Sequence, residues 1–212
     1  MNYNQDNQII IENLQKRFKK NLPGQKSQLK MAPLINNIPY RKLVPDKNYY
    51  ESAVLLLLCK NQNTFDILFT LRSNRLASHR GQISFPGGRL EQSETPLAAA
   101  IRETKEEVGI EANNIIGQLS NLYVPPSKTN ITPFIAFTEK VPDLNINKDE
   151  VEEAFFYPID FFLNEENIII EKWNLHNQIV DVPLWKIHKS TALWGATAMI
   201  LSEFIDIWKE IS

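Results

Sequence analysis

The chain has 212 residues, 43% hydrophobic and 23% charged, with a formal net charge of −2. That composition excludes a disordered tail, a collagen-like repeat and a disulfide scaffold, and the length suits one sizeable core. A near-neutral balance leaves no electrostatic footprint for nucleic acid, so no such partner is expected.

The first predicted element is an amphipathic helix within residues 1–20. Ile9, Leu14 and Phe18 form its apolar side, and Lys16, Arg17, Lys19 and Lys20 follow. It is expected to pack on its own domain. Its apolar triplet precedes its basic cluster, the reverse of a secretory signal. No stretch approaches the roughly 18 apolar residues that span a bilayer, so no membrane span and a cytoplasmic location are expected. Residues 22–46 are rich in Pro, Asn and Lys and read as irregular. Residues 1–48 are therefore taken as a helix and lead-in, and residues 49–212 as the main domain.

Residues 52–59 form a continuous apolar run, as a buried strand should, and residues 65–71 read as its partner. Cys59 is the only cysteine. It permits no internal disulfide and is expected to be a small core residue. A short strand at 82–85 is stopped by Pro86-Gly87-Gly88. Next comes the clearest helix, with Thr95 as N-cap, Pro96 in the first turn and Gly109 just past its end. Further strands are predicted at 115–123, 132–138 and 151–157, with a helical turn at 158–163. A late hairpin at 168–170 and 179–182 is expected to turn around 173–178. A long helix at 191–211 closes the chain. This order predicts an α+β fold or a mixed-sheet α/β/α sandwich.

Only 7 glycines occur, and Gly81, Gly87, Gly88 and Gly109 crowd one 29-residue window. Glycine permits close backbone approach to a ligand, so the window directs attention to the helix inside it. That helix carries two strips. Leu97, Ala100, Ile101, Thr104 and Val108 recur at three- and four-residue steps as a packing face. Glu103, Glu106 and Glu107 share another strip, about 110–120° away. A bare acidic strip is also what a solvated helix face looks like, with Arg102 and Lys105 softening the repulsion. A divalent cation reverses that repulsion, and hard oxygen ligands at this spacing suit Mg²⁺ or Mn²⁺ bridging to substrate phosphates. Metal-assisted phosphoryl chemistry uses all three charges.

The window resembles the Nudix box, G-x5-E-x7-R-E-U-x-E-E-x-G-U with U bulky and aliphatic. Gly88, Glu94, Arg102, Glu103, Glu106, Glu107, Gly109 and Ile110 fill eight of nine defined positions, and Thr104 departs at the first U. The resemblance implies the Nudix sandwich of mixed sheet and flanking helices. It also implies hydrolysis of a nucleoside diphosphate linked to another moiety. Glu103, Glu106 and Glu107 would then hold the metals, Arg102 would orient them, and Glu94 would support the helix. A Gly87 or Gly88 carbonyl is a further candidate ligand.

Directly upstream, residues 68–73 (LFTLRS) and 78–88 (SHRGQISFPGG) resemble the extended motif of the coenzyme A pyrophosphatase branch. Phe69 departs at one Leu, and Ala77 stands where that pattern has Arg. Glu150-Val151, Phe156-Tyr157-Pro158 and the WGATA stretch at 194–198 extend the resemblance. Coenzyme A ends in 3′-phospho-ADP, so Arg72, Arg75, His79 and Arg80 are candidate phosphate binders, with Gly87 and Gly88 beside them. Glu150 is the candidate general base. Residues 124–129 are candidates to flank the pantetheine or the base. The expected products are 3′,5′-ADP and 4′-phosphopantetheine or its acyl form. Rival readings are hydrolysis of ADP-ribose or another nucleotide, and a non-catalytic nucleotide-binding module. A small-molecule substrate is expected, and a homodimer is left open.

Overall fold

The computed structural model describes residues 3–39, 45, 47–62, 64–73, 75, 81–175 and 177–211. Helix α1 (Tyr3–Phe18) is followed by α2 (Gln25–Gln28), β1 (Leu34–Ile35) and β2 (Ile38–Pro39). Strands β3 (Tyr50–Asn61), β4 (Thr64–Arg72), β5 (Ile83–Ser84) and β6 (Gly87–Arg89) lead into α3 (Pro96–Val108). Then come β7 (Ile115–Gln118), β8 (Leu122–Val124), β9 (Thr129–Thr138), β10 (Val151–Pro158) and α4 (Ile159–Leu163). The chain closes with β11 (Ile169–Leu175), β12 (Gln178–Trp185), β13 (Leu193–Trp194) and α5 (Gly195–Lys209).

The apolar run becomes β3, the centre of the main sheet, in the order β10-β4-β3-β9-β7. Strands β3 and β9 run parallel from Tyr50–Thr129 to Cys59–Thr138, while β4 and β6 pair with β3 antiparallel. The sheet is therefore mixed. A strand covered on both faces must be apolar at every position rather than alternating, and β3 is covered on both. Ala53, Leu55, Leu57 and Cys59 pack with Ala99, Ala100 and Val108 of α3. Leu56 and Leu58 point the other way, into a cluster with Leu14 of α1, Phe162 of α4 and Phe204 of α5. The result is the helix–sheet–helix sandwich that the sequence predicts. Burial also pushes the Cys59 thiol up to about 11.

A second, smaller sheet in the order β11-β12-β1-β2, with β13 on β12, lies in the α5 layer. Its β1–β2 hairpin falls in the stretch expected to be irregular. Asn36 and Asn37 both have positive φ, 50° and 62°, and Ile35 pairs with Ile38, so the two asparagines form a two-residue turn. Other expectations shift as well. The strand expected at 115–123 is two strands, broken where the Leu119 amide donates to the Pro133 carbonyl. The expected turn at 173–178 is mostly strand, because Trp173 and Asn174 pair with Val180 and Ile179. In α1, Ile11 and Leu14 are buried while Ile9 is exposed.

Candidate active site

Helix α3 is fixed at both ends by the residues the sequence singles out. The Thr95 hydroxyl accepts from the Ala98 amide at 3.2 Å, and Gly109 takes the left-handed conformation at φ 77°. Its packing face is rotated from the expected strip. Ala99, Ala100, Thr104, Glu107 and Val108 are buried, while Leu97 and Ile101 are half-buried. The rotation carries Glu107 out of solvent; it is 1% exposed.

Two carbonyls at the C-terminal end of α3 are satisfied by the loop that carries Glu150. The Asn145 and Asn147 amides donate to Val108 and Glu107 at 2.9 and 3.0 Å. The Ser73 amide, just past β4, donates to the Glu150 carbonyl at 2.8 Å. Helix, loop and strand end are thus tied by backbone hydrogen bonds. The consequence is a cluster of Glu103, Glu107 and Glu150, whose carboxylate oxygens lie within 4.8 Å of one another.

The glycine loop covers this cluster. A Cβ on Gly88 would fall 2.3 Å from Glu103 Oε1, and one on Gly87, at φ 150°, would fall 2.3 Å from the Ala53 carbonyl. Only glycine lets the loop pass so close. The Gly87 amide donates to Glu107. Arg72, at the end of β4, places Nη1 3.6 Å from Glu107 Oε1.

The electrostatics follow from burial. Desolvation pushes Glu107 up to about 8, and Glu103 and Glu150 add repulsion that Arg72 and the Gly87 amide only partly offset. Burial also raises Glu103, against the pull of Arg102. Among the described residues, Glu107 Oε2 is buried without a hydrogen-bond partner. An orphaned buried carboxylate oxygen beside two further carboxylates is costly unless a cation joins them. The donor set is all hard oxygen, so the residues present fit a divalent ion.

Arg102 acts as a fork beside the cluster. It holds Glu94 at 2.9 and 3.0 Å, Glu103 at 2.9 Å and Glu106 at 3.1 Å. The Glu94 bond raises the guanidinium further, while Arg102 and the Glu91 amide hold the Glu94 carboxyl low. Glu106 lies outside the close trio, 51% exposed on the outer side of Arg102. Arg75 is exposed and pairs with Asp149 at 3.3 Å; such a surface pair contributes little. His79, Arg80 and Ala77 lie outside the described residues.

Beside the loop opens a cavity of about 1280 Å³, bordered by Arg72, Gly87, Gly88 and Arg89. The 124–129 stretch borders it too, as the sequence anticipates, through Val124, Pro125, Pro126, Ser127 and Thr129. Sequence reasoning missed Arg89, whose guanidinium lies 3.9 Å from the Tyr50 ring centroid. It also missed Pro33, Leu175 and Ile200, which border the cavity from distant segments. The Tyr49-Tyr50 pair was a readable aromatic signal; the other three carry none.

A trio of carboxylates under a glycine loop, on a helix packed against a mixed sheet, is a set of hard oxygen donors compatible with a divalent ion on an α/β/α sandwich. Residues 49–176 match the family model described as the NUDIX domain, and the chain belongs to the Nudix hydrolase family. A probable nudix hydrolase of Schizosaccharomyces pombe is 32% identical over 158 residues, 73% of this chain and 55% of that protein. Nudix hydrolase 3 of Caenorhabditis elegans is 28% identical over 82% of this chain and 81% of its own length. A human mitochondrial coenzyme A diphosphatase is 31% identical over 70% of this chain and 65% of its own length. Among solved structures, a MutT/nudix family protein from Enterococcus faecalis superposes with a TM-score of 0.53 at 19% identity. That match covers 77% of this chain and 63% of the other.

Proposed function

We propose that the protein hydrolyses the diphosphate bridge of coenzyme A or its acyl thioesters in a divalent-metal-dependent reaction. The products are 3′,5′-ADP and 4′-phosphopantetheine or its acyl form. The observation that carries the reading is the convergence of Glu103, Glu107 and Glu150 within 4.8 Å. Mg²⁺ or Mn²⁺ at this site would supply charge neutralisation at the diphosphate and a more acidic attacking water. Glu103 and Glu107 would hold it, with Glu106 as the exposed outer carboxylate and Glu150 beside them as the base. Water attacks one phosphorus, the bond to the bridging oxygen breaks, and Glu150 takes the proton. Arg102 keeps Glu103 and Glu106 in place. Arg72 reaches the phosphates, with Arg75, His79 and Arg80 as further contacts to the third phosphate.

The upstream signature supports coenzyme A, as do the relatives named as coenzyme A diphosphatases in human mitochondria and mouse peroxisomes. Ala77, where that signature has Arg, favours a second reading, in which ADP-ribose or another nucleoside diphosphate derivative is cleaved. Incubation with Mn²⁺ and a panel of coenzyme A, acetyl-CoA, ADP-ribose and diadenosine polyphosphates, with products resolved by chromatography, separates the two. Preference for ADP-ribose overturns the coenzyme A reading, and no cleavage at all overturns both. A cytoplasmic location and a homodimer belong to the same proposal and are tested by cell fractionation and light scattering. Among the described residues, no helix is long and apolar enough to cross a membrane.

A further inference from the structure

The cavity is larger than the metal site needs. Small-molecule pockets commonly occupy roughly 300–1,000 Å³, and this one holds about 1280 Å³. Its borders divide by chemistry. Arg72 and Arg89, the only charged side chains among the described residues that line it, stand on the side of the glycine loop. Apolar side chains of the main sheet, among them Val54 and Ile131, continue the wall with Phe85 and the 124–129 stretch, and its far end comes from the second sheet and α5. Leu175, Trp194, Ala196 and Ile200 border the cavity there, with Pro33 from the N-terminal segment. Trp194 is braced edge-on by Trp173, ring centroids 4.9 Å apart. The first turn of α5, which no side chain caps, brings backbone amides to the same border.

Pro33, Trp194, Ala196 and Ile200 all fall outside the matched segment 49–176. Much of this end of the wall therefore lies outside the matched segment, while Leu175 and the apolar side chains of the main sheet lie within it. A nucleoside diphosphate alone uses the arginines and the glycine loop but leaves such a wall bare. A substrate with a long amphiphilic tail uses both. The first turn of α5 offers backbone amides to the amide carbonyls of such a tail, and Trp194 and Ile200 offer apolar surface to its hydrocarbon.

We propose that this wall is the receptor for the thioester-linked arm of the substrate, and that Trp194 and Ala196 set its preference for acyl chains. The inference rests on the coenzyme A reading above. Each methylene that leaves water here tightens binding by up to about fourfold. The gain enters KM rather than kcat, because the tail does not reach the reacting phosphorus.

The test uses coenzyme A and its butanoyl, octanoyl and dodecanoyl thioesters with the full chain. kcat and KM are measured with Mn²⁺, and direct binding is followed by tryptophan fluorescence without metal. KM and the dissociation constant are expected to fall at least tenfold from coenzyme A to octanoyl-CoA. Ala196→Phe fills the space, and Trp194→Ala removes the wall. Each is expected to raise the octanoyl-CoA KM at least fivefold more than the coenzyme A KM. The second variant serves if the first fails to fold by circular dichroism.

Equal shifts for both substrates, or a flat chain-length series in the wild type, overturn the proposal even if coenzyme A is cleaved. Chain-length-dependent binding without cleavage upholds the wall and overturns the hydrolysis reading instead.

Discussion

Two helices each bury a glutamate, and the two solutions differ. Glu203 of α5 is fully buried and fully met. The Gly24 amide, Gln28 Nε2 and Ser120 Oγ donate to it at 3.0, 2.9 and 2.6 Å. Glu107 of α3 is as deeply buried, yet among the described residues its Oε2 has no donor, and two other carboxylates stand nearby. A buried charge is tolerated when hydrogen bonds surround it and costly when they do not. Glu203 clasps the N-terminal segment to α5 and the turn before β8, so it works for the fold. Despite the Gly87 amide and Arg72, one Glu107 oxygen stays without a partner among the described residues, which suits a group that holds a cation.

Exchanging the two residues' fates gives the largest expected effects. Glu107→Gln should lower kcat about 10³-fold, while the metal-free protein melts no lower than the wild type. Glu203→Ala should do the reverse. Stranding its donors costs about 3 kcal/mol, a drop in Tm of about 6–12 °C for a chain of this size, with kcat per folded molecule retained. Thermal melts and steady-state kinetics on both variants decide it. A large stability loss in Glu107→Gln would erase the distinction.

Gly88→Ala sharpens the comparison from the loop side. The new Cβ would sit 2.3 Å from Glu103 Oε1. The end of a glutamate can move, so the fold survives while a ligand is displaced. A displacement near 1 Å should lower kcat about 10- to 100-fold, with an increased requirement for Mn²⁺ in a metal titration. Unchanged kinetics would mean that Glu103 has no fixed role.

Acidity gives a smaller effect with a definite sign. Glu107 titrates near 4.5 in the unfolded chain and is pushed up to about 8 in the metal-free fold. Between those values the fold holds a proton that the unfolded chain has released. Glu107's contribution to stability is thus fullest below pH 4.5 and is lost as pH rises through 8. Melts of the metal-free protein from pH 6 to 9 should fall, and Mn²⁺ should raise Tm most at the alkaline end. Glu107→Gln should flatten both trends.

The site was more legible than the fold around it. Thr95, Pro96 and Gly109 bound α3 by local chemistry, and fixed spacing places Glu94, Arg102 and Glu103 in one network. Spacing did not reveal which carboxylates converge. Glu106 shares the strip but faces outward, and Glu150 joins through a loop held by tertiary hydrogen bonds. The β1–β2 hairpin escaped because its strands are two residues each, although the Asn-Asn pair was a readable turn signal. Nothing local marks Pro33, Leu175 and Ile200 as neighbours; only the packing of the second sheet on α5 brings them together.

Thr104 tests the smallest difference between the two helices. It is the one departure from the Nudix box, on the same buried face as Glu107. Its hydroxyl is not stranded, because Oγ1 donates to the Ala100 carbonyl at 2.7 Å one turn back. That bond satisfies the polar atom without involving the glutamates, so Thr104 resembles Glu203 in character, not Glu107. Thr104→Val keeps the β-branched shape, restores the aliphatic pattern and removes donor and burial cost together. Replacing a locally bonded hydroxyl in this way should change stability by less than about 1 kcal/mol, a Tm shift within about 4 °C, and leave kcat and KM unchanged. A loss of activity beyond the change in folded fraction would show that the threonine positions the carboxylates after all.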